Sequence, residues 1–260
     1  MTSDLSQWMI DHLVISILVL TRLSTLLMAM PAVGAGVPKR VRALLAIMLT
    51  VILVPTVVRL TDTADLPRLD NLVELGIAIA REAIVGMLIG ATVQLIVTGL
   101  QLAGETISGT GGMQLGDSID ASTQGSMPTM AKLVGMLVTA ILLISGGHRV
   151  VLRLLLESFQ ALPAGDVVLE SSMLDLILAQ LSAGMAAGVR VAAPVVGALL
   201  LSNLITGLVS RTLPQLNVLA IGLSLNALAL LIVTALTIGS IGYVFQSELE
   251  STVVRVRELW

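Results

Sequence analysis

Residues 83–104 read AIVGMLIGATVQLIVTGLQLAG, a stretch with no charged side chain. At 1.5 Å per residue, a helix of that length spans about 33 Å, enough to cross the ~30 Å hydrocarbon core of a bilayer. Gly86 and Gly90 lie four residues apart on one face and let a second helix approach closely. Arg81 and Glu82 stand immediately before this stretch, and residues 72–104 together read as one long helix or two stacked ones. Immediately after it, residues 105–127 read ETISGTGGMQLGDSIDASTQGSM, rich in Gly, Ser and Thr and closed by Pro128. An irregular stretch of that length in a compact protein is unusual and often functional. At membrane depth it is tolerated only inside protein or along an aqueous cavity.

The whole composition agrees with a membrane chain. The 260 residues are 56% hydrophobic, 12% charged and 2% aromatic, with mean hydropathy +1.00. A soluble domain carries about 25% charged residues, so an ordinary soluble enzyme and a disordered chain are excluded. The absence of Cys removes disulfides, thiolate metal sites and cysteine nucleophiles. A net charge of -3, with 14 Lys+Arg spread along the chain, gives no basic footprint for nucleic acid.

Other apolar regions flank the first. The acidic N-terminus lacks the basic region of a signal peptide. Residues 13–30 form an apolar stretch interrupted by Arg22 and ended by Pro31, Gly34, Gly36 and Pro38, with Lys39, Arg40 and Arg42 directly after. Residues 43–58 are charge-free and contain Pro55; residues 61–71 are polar. A short apolar run at 131–145 breaks at Gly146-Gly147 and continues as an amphipathic helix over 148–162, with Arg153 and Glu157 one turn apart. Pro163-Ala164-Gly165 is a turn. Residues 172–209 are apolar, carrying Asp175, Arg190, Pro194 and a second small-residue pair, Gly184 and Gly188. A turn at 211–217 leads to the charge-free stretch 218–245 and a charged tail suited to an interfacial or partner-binding helix. The expected fold is an all-α membrane protein. About six hydrophobic regions, several broken by Gly or Pro into hairpins, surround a Gly-rich central loop.

Basic residues fail to orient these segments. One side collects Lys39, Arg40, Arg42, Lys132 and Arg211, the other Arg59, Arg68, Arg149, Arg153, Arg255 and Arg257. Five against six leaves the positive-inside rule undecided.

Arg22, Arg81, Glu82 and Arg190 each cost roughly 2.5–3.5 kcal/mol at a membrane helix centre unless they face protein, water or one another. Structural pairing or subunit contact is the expected role, since a proton relay needs several intramembrane carboxylates or histidines. Neighbours on a helix point about 100° apart, so Arg81 and Glu82 should find different partners. The glycine spacing from Gly111 to Ser118 imitates a phosphate loop, but Asp117 stands where its lysine belongs. His12 and His148 stand alone, without a second ligand at metal spacing; His148 suits a structural hydrogen bond at the glycine break. Gly- and Pro-broken helices also mark secondary transporters, but no internal repeat is evident.

Several motifs then fall in order along the chain. Arg22 and Pro31 precede Val37-Pro38-Lys39-Arg40-Val41-Arg42. Ala103-Gly104-Glu105 opens the Gly-rich segment that Met127-Pro128 closes. Gly147-His148 is followed by Leu162-Pro163-Ala164-Gly165. Gly207 leads to Arg211-Thr212-Leu213-Pro214-Gln215-Leu216-Asn217, then Ile221-Gly222. This series resembles the FliR family of flagellar export-gate subunits and its injectisome counterparts of the SctT type.

The resemblance implies a non-enzymatic pore subunit without a cofactor. Its setting would be the flagellar basal body, in the bacterial inner membrane. It would join FliP-like and FliQ-like subunits in one helical assembly, work beside FlhB-like and FlhA-like components, and pass unfolded export substrates. Residues 1–170 would be the FliP-like part and 171–260 the FliQ-like part. The central loop would plug the closed pore through Ser108, Gly109, Gly111, Gly112, Met113, Leu115, Gly116, Asp117 and Ile119. Two positions depart from the family pattern: Ser108-Gly109-Thr110-Gly111-Gly112 replaces a more apolar segment, and Ser224 replaces a frequent proline. Fewer apolar side chains there should seal less tightly, unless Met113, Leu115 and Ile119 compensate.

Overall fold

The computed structural model describes residues 2–33, 37–60, 72–112, 128–168, 170–212 and 218–259. Among them are seven helices and no strand: α1 (Thr2–Ala29), α2 (Lys39–Val57), α3 (Leu72–Thr110), α4 (Thr129–Ile144), α5 (Gly147–Ala161), α6 (Ser171–Thr212) and α7 (Val218–Arg257). Five are long and apolar enough to cross a membrane; α4 and α5, bent by 68° at the break between them, are apolar enough only as a pair, the geometry of a broken span or a re-entrant loop. The all-α membrane reading therefore stands. Gly146, at φ +76°, separates α4 from α5 in a left-handed conformation that glycine adopts at little cost. Pro55 and Pro194 lie inside α2 and α6 and end neither helix.

Two boundaries differ from expectation. Residues 105–110, read as the start of the central loop, extend α3. Ala103, Ile107 and Ser108 are buried at helical spacing, so a packed stripe continues where composition suggested none. The hydroxyls of Thr106 and Thr110 donate to the carbonyls of Leu102 and Thr106, each at 2.8 Å, satisfying themselves within the helix. The helix ends only at Gly111 and Gly112, the latter at φ +73°. The charged tail, expected as a separate helix, continues α7 to Arg257 because Ile241, Phe245, Glu248, Leu249, Thr252 and Val256 form one buried stripe.

The chain divides into two compact units, each discontinuous in sequence. The first comprises Met1–Gln94, Leu142–Gln180 and Glu250–Trp260. Here α1 packs on α2. The small-residue face of α3 meets α1 as expected: a Cβ on Gly86 would collide with the Arg22 carbonyl, and one on Gly90 with Ala29. Ile15, Leu18, Leu23, Leu26, Ile89, Leu154 and Phe159 are buried in this unit.

The second unit comprises Leu95–Ile141 and Leu181–Leu249. Backbone approaches backbone where Gly99 of α3 meets Gly184 and Gly188 of α6, and Gly104 packs against Ala131 of α4. Such glycine contacts bring membrane helices within dispersion range along their length. Elsewhere the helices remain bare. Leu44, Met48 and Val51 of α2, Leu200 and Leu204 of α6, and Leu231 and Leu236 of α7 are all exposed. A surface of this kind requires lipid or other protein to cover it.

Candidate functional site

In the first unit, α1 carries Arg22 into a wholly buried node. Its Nε donates to Glu82 Oε2 of α3, and both side chains have no solvent exposure. Nη1 donates to Ser158 Oγ of α5 at 3.1 Å, and Nη2 to the Leu162 carbonyl at 3.1 Å. The second carboxylate oxygen of Glu82 accepts the Gly165 N–H at 3.0 Å. The guanidinium carbon lies 4.0 Å from the centroid of the Phe159 ring, a cation–π contact. One ion pair thus ties α1, α3, α5 and the turn after α5 together. Each charged group is paired and hydrogen-bonded, the condition under which such burial is tolerated. With its oxygens held by a guanidinium and a backbone N–H, Glu82 is built to position helices.

Arg81 and Arg190 do not join this node; both are exposed in the single chain. Arg81 is exposed because the 100° step from Glu82 turns it off the buried face of α3. Arg190 is 58% exposed and pairs with Glu248 Oε1 of α7 at 3.1 Å.

The remaining polar connections escaped the sequence reading. In the second unit, Ser202 Oγ donates to Asn226 Oδ1 at 2.7 Å and Asn226 Nδ2 to Asn203 Oδ1 at 2.7 Å. Asn203 Nδ2 in turn reaches the Thr110 carbonyl, the last residue of α3, at 3.3 Å. This ladder joins α6 and α7 to the helix end from which the central segment departs. In the first unit, Gln180 donates to Thr252 at 2.7 Å and accepts from Arg255 at 2.8 Å. Glu157, one turn from Arg153 on α5, accepts from Arg257 Nη2 and Nε at 2.8 and 2.9 Å. The available signal was Ser, Asn and Gln inside long apolar helices, where amides must find partners.

The plug and motif residues divide between described and undescribed parts. Ser108 and Gly109 are helical, Ser108 being buried with its hydroxyl unpartnered among the described residues. Gly111 and Gly112 form the turn after α3. Met113, Leu115, Gly116, Asp117 and Ile119 lie outside the described residues, as do Pro214, Gln215 and Asn217. Pro38 precedes α2, whose first residues Lys39 and Arg40 are exposed. Glu105 is half-buried on α3, and Pro128 precedes α4, its carbonyl accepting the Lys132 N–H at 3.1 Å. His148 sits at the start of α5 with Nδ1 buried and unpartnered among the described residues, so the expected hydrogen bond is not made there. Arg211 is exposed in the last turn of α6.

Comparison with known sequences identifies the lineage. Residues 13–252 match the family described as bacterial export proteins, family 1. The flagellar biosynthetic protein FliR of Caulobacter vibrioides is 28% identical over 232 residues, covering 89% of this chain and 91% of that protein. FliR of Escherichia coli K12 is 30% identical over 191 residues, covering 74% and 71%. The secretion system apparatus protein SsaT of Salmonella typhimurium is 26% identical over 152 residues, covering 58% and 59%. Motifs, helices and matched length agree, and the chain belongs to bacterial export proteins, family 1, the FliR/SctT family.

Proposed function

We propose that this chain is a pore-wall subunit of the flagellar type III protein export gate, in the bacterial inner membrane. The observation that carries the reading is the likeness to a flagellar biosynthetic protein across nine-tenths of both chains. Geometry supports it. Helices α3, α6 and α7 run 39, 42 and 40 residues, or about 58–63 Å at 1.5 Å per residue. That is twice the ~30 Å hydrocarbon thickness. Lipid alone cannot cover the apolar side chains along such helices, but helices from FliP-like and FliQ-like subunits can. In this reading residues 1–170 are the FliP-like part and 171–260 the FliQ-like part. FlhB-like and FlhA-like components complete the apparatus, and unfolded rod, hook and filament proteins pass through. The role is steric: helices form the wall and the segment after α3 fills the lumen until substrate displaces it. The exposed Arg81 and Arg190 then serve subunit contacts.

Deleting the gene in its native host is expected to abolish extracellular hook and filament proteins, with plasmid-borne gene restoring them. Undiminished flagellar export would discard the flagellar reading. If effector secretion fell instead, the chain would serve an injectisome, the use suggested by the likeness to SsaT. The plug has its own test. Removing 113–120 spares α3 and its Asn203 contact. It should leave membrane assembly intact while raising ion leak, measured as dye-reported proton or sodium entry. An unchanged leak in an assembled complex would sink the plug assignment.

A further inference from the structure

The last six residues of α3, 105–110, are helical against their own composition. Thr106, Ser108, Gly109 and Thr110 are all poorer helix formers than Ala or Leu. The hydroxyls of Thr106 and Thr110 bond back to carbonyls one turn earlier, which slightly weakens a helix. The last turn has no basic residue to suit the negative end of the helix dipole. Ser108 is 1% exposed, and its hydroxyl finds no partner among the described residues. The helical form therefore carries a desolvated polar group that water would satisfy if the turn opened.

Tertiary contacts oppose these costs. A Cβ on Gly104 would collide with Ala131 of α4, and Ala103 is buried, so α3 is anchored just before this segment. Beyond the anchor, Ile107 is buried. The Thr110 carbonyl, one of the four that a helix end leaves open, accepts Asn203 Nδ2 at 3.3 Å. Asn226 Nδ2 fixes the Asn203 amide by donating to its Oδ1, and Ser202 in turn donates to Asn226 Oδ1, both at 2.7 Å. A relay of side chains on α6 and α7 thus aims one donor at the end of α3.

We propose that residues 105–110 form a two-state element: helical while Asn203 caps Thr110, unwound when that bond opens, with Asn226 setting the balance through Asn203. The helix up to Gly104 stays formed in both states. Opening converts about 9 Å of helix into chain that reaches up to about 20 Å. The proposal concerns the stability of one helix end and is independent of the export reading.

The test is hydrogen–deuterium exchange of the full-length protein in detergent, read by mass spectrometry with overlapping peptides that separate 106–110 from 95–102. In wild type, 106–110 should exchange at least about tenfold faster than 95–102, because local opening leaves the packed part of α3 intact. Asn203→Ala, at an exposed position, should speed exchange at 106–110 about fivefold, the worth of one hydrogen bond. It should leave 95–102 and the melting temperature near wild type. Asn226→Leu keeps Asn203 but removes its guide, and should speed the same amides by a smaller factor. Ser108→Ala removes the stranded hydroxyl and adds helix propensity, and should slow them about fivefold. Equal exchange of the two regions in wild type overturns the proposal, since one cooperative helix has no separate end state. So does unchanged exchange at 106–110 in any of the three variants, or equal acceleration of both regions in Asn203→Ala, which would mean general loosening of the helices.

Discussion

Replacing Glu82 with alanine is expected to destabilise the protein by about 3–5 kcal/mol, the cost of stranding a buried charge. Arg22 would lose its counter-ion while remaining fully enclosed, and the Gly165 N–H would lose its acceptor. The expected readout is a sharply lower unfolding temperature in detergent and reduced abundance in membranes. Glu82→Gln should fall between, because an amide oxygen still accepts hydrogen bonds but does not neutralise Arg22. Replacing both partners with methionine should recover much of the loss, since the desolvation of two ions disappears with their attraction. Recovery should be incomplete: Ser158 keeps its bond to the Leu155 carbonyl, but Gly165 and the Leu162 carbonyl are left open. A Glu82→Ala protein as stable as wild type would mean that the ion pair does not hold these helices together.

Gly99→Leu is expected to do comparable damage in the second unit. An added Cβ at Gly99 would meet the Gly184 carbonyl and lie 2.7 Å from its Cα. Those are backbone atoms, unable to rotate aside as a flexible side chain can. Overpacking typically costs 1–3 kcal/mol, roughly, and the whole leucine side chain here would force α3 and α6 apart rather than fill a gap. The matched control is Gly197→Leu, on α6 but with nothing within 4 Å of an added Cβ. Thermal unfolding in detergent should separate the two, Gly197→Leu melting near wild type and Gly99→Leu far below it. Equal melting would refute the glycine-to-glycine approach.

Much of this protein is set by local sequence. Low charge and long apolar runs make it a helical membrane protein, because a backbone in lipid must satisfy its own hydrogen bonds. Glycines at four-residue spacing announce two close helix contacts, and Gly146-Gly147 announces the break between α4 and α5. Embedded charges announce that partners exist. Which partners they meet depends on three-dimensional packing. Arg22 meets Glu82, sixty positions away, while Arg81 beside it turns outward. Glu157 passes over a neighbour one turn along its own helix and takes Arg257. Residues 105–110 look like loop by composition, yet burial of Ile107 and Ser108 keeps them helical. Periodicity and propensity act over a few residues and define segments. Pairing and segment ends are decided by which faces are desolvated together, and that energy exists only once the helices have packed.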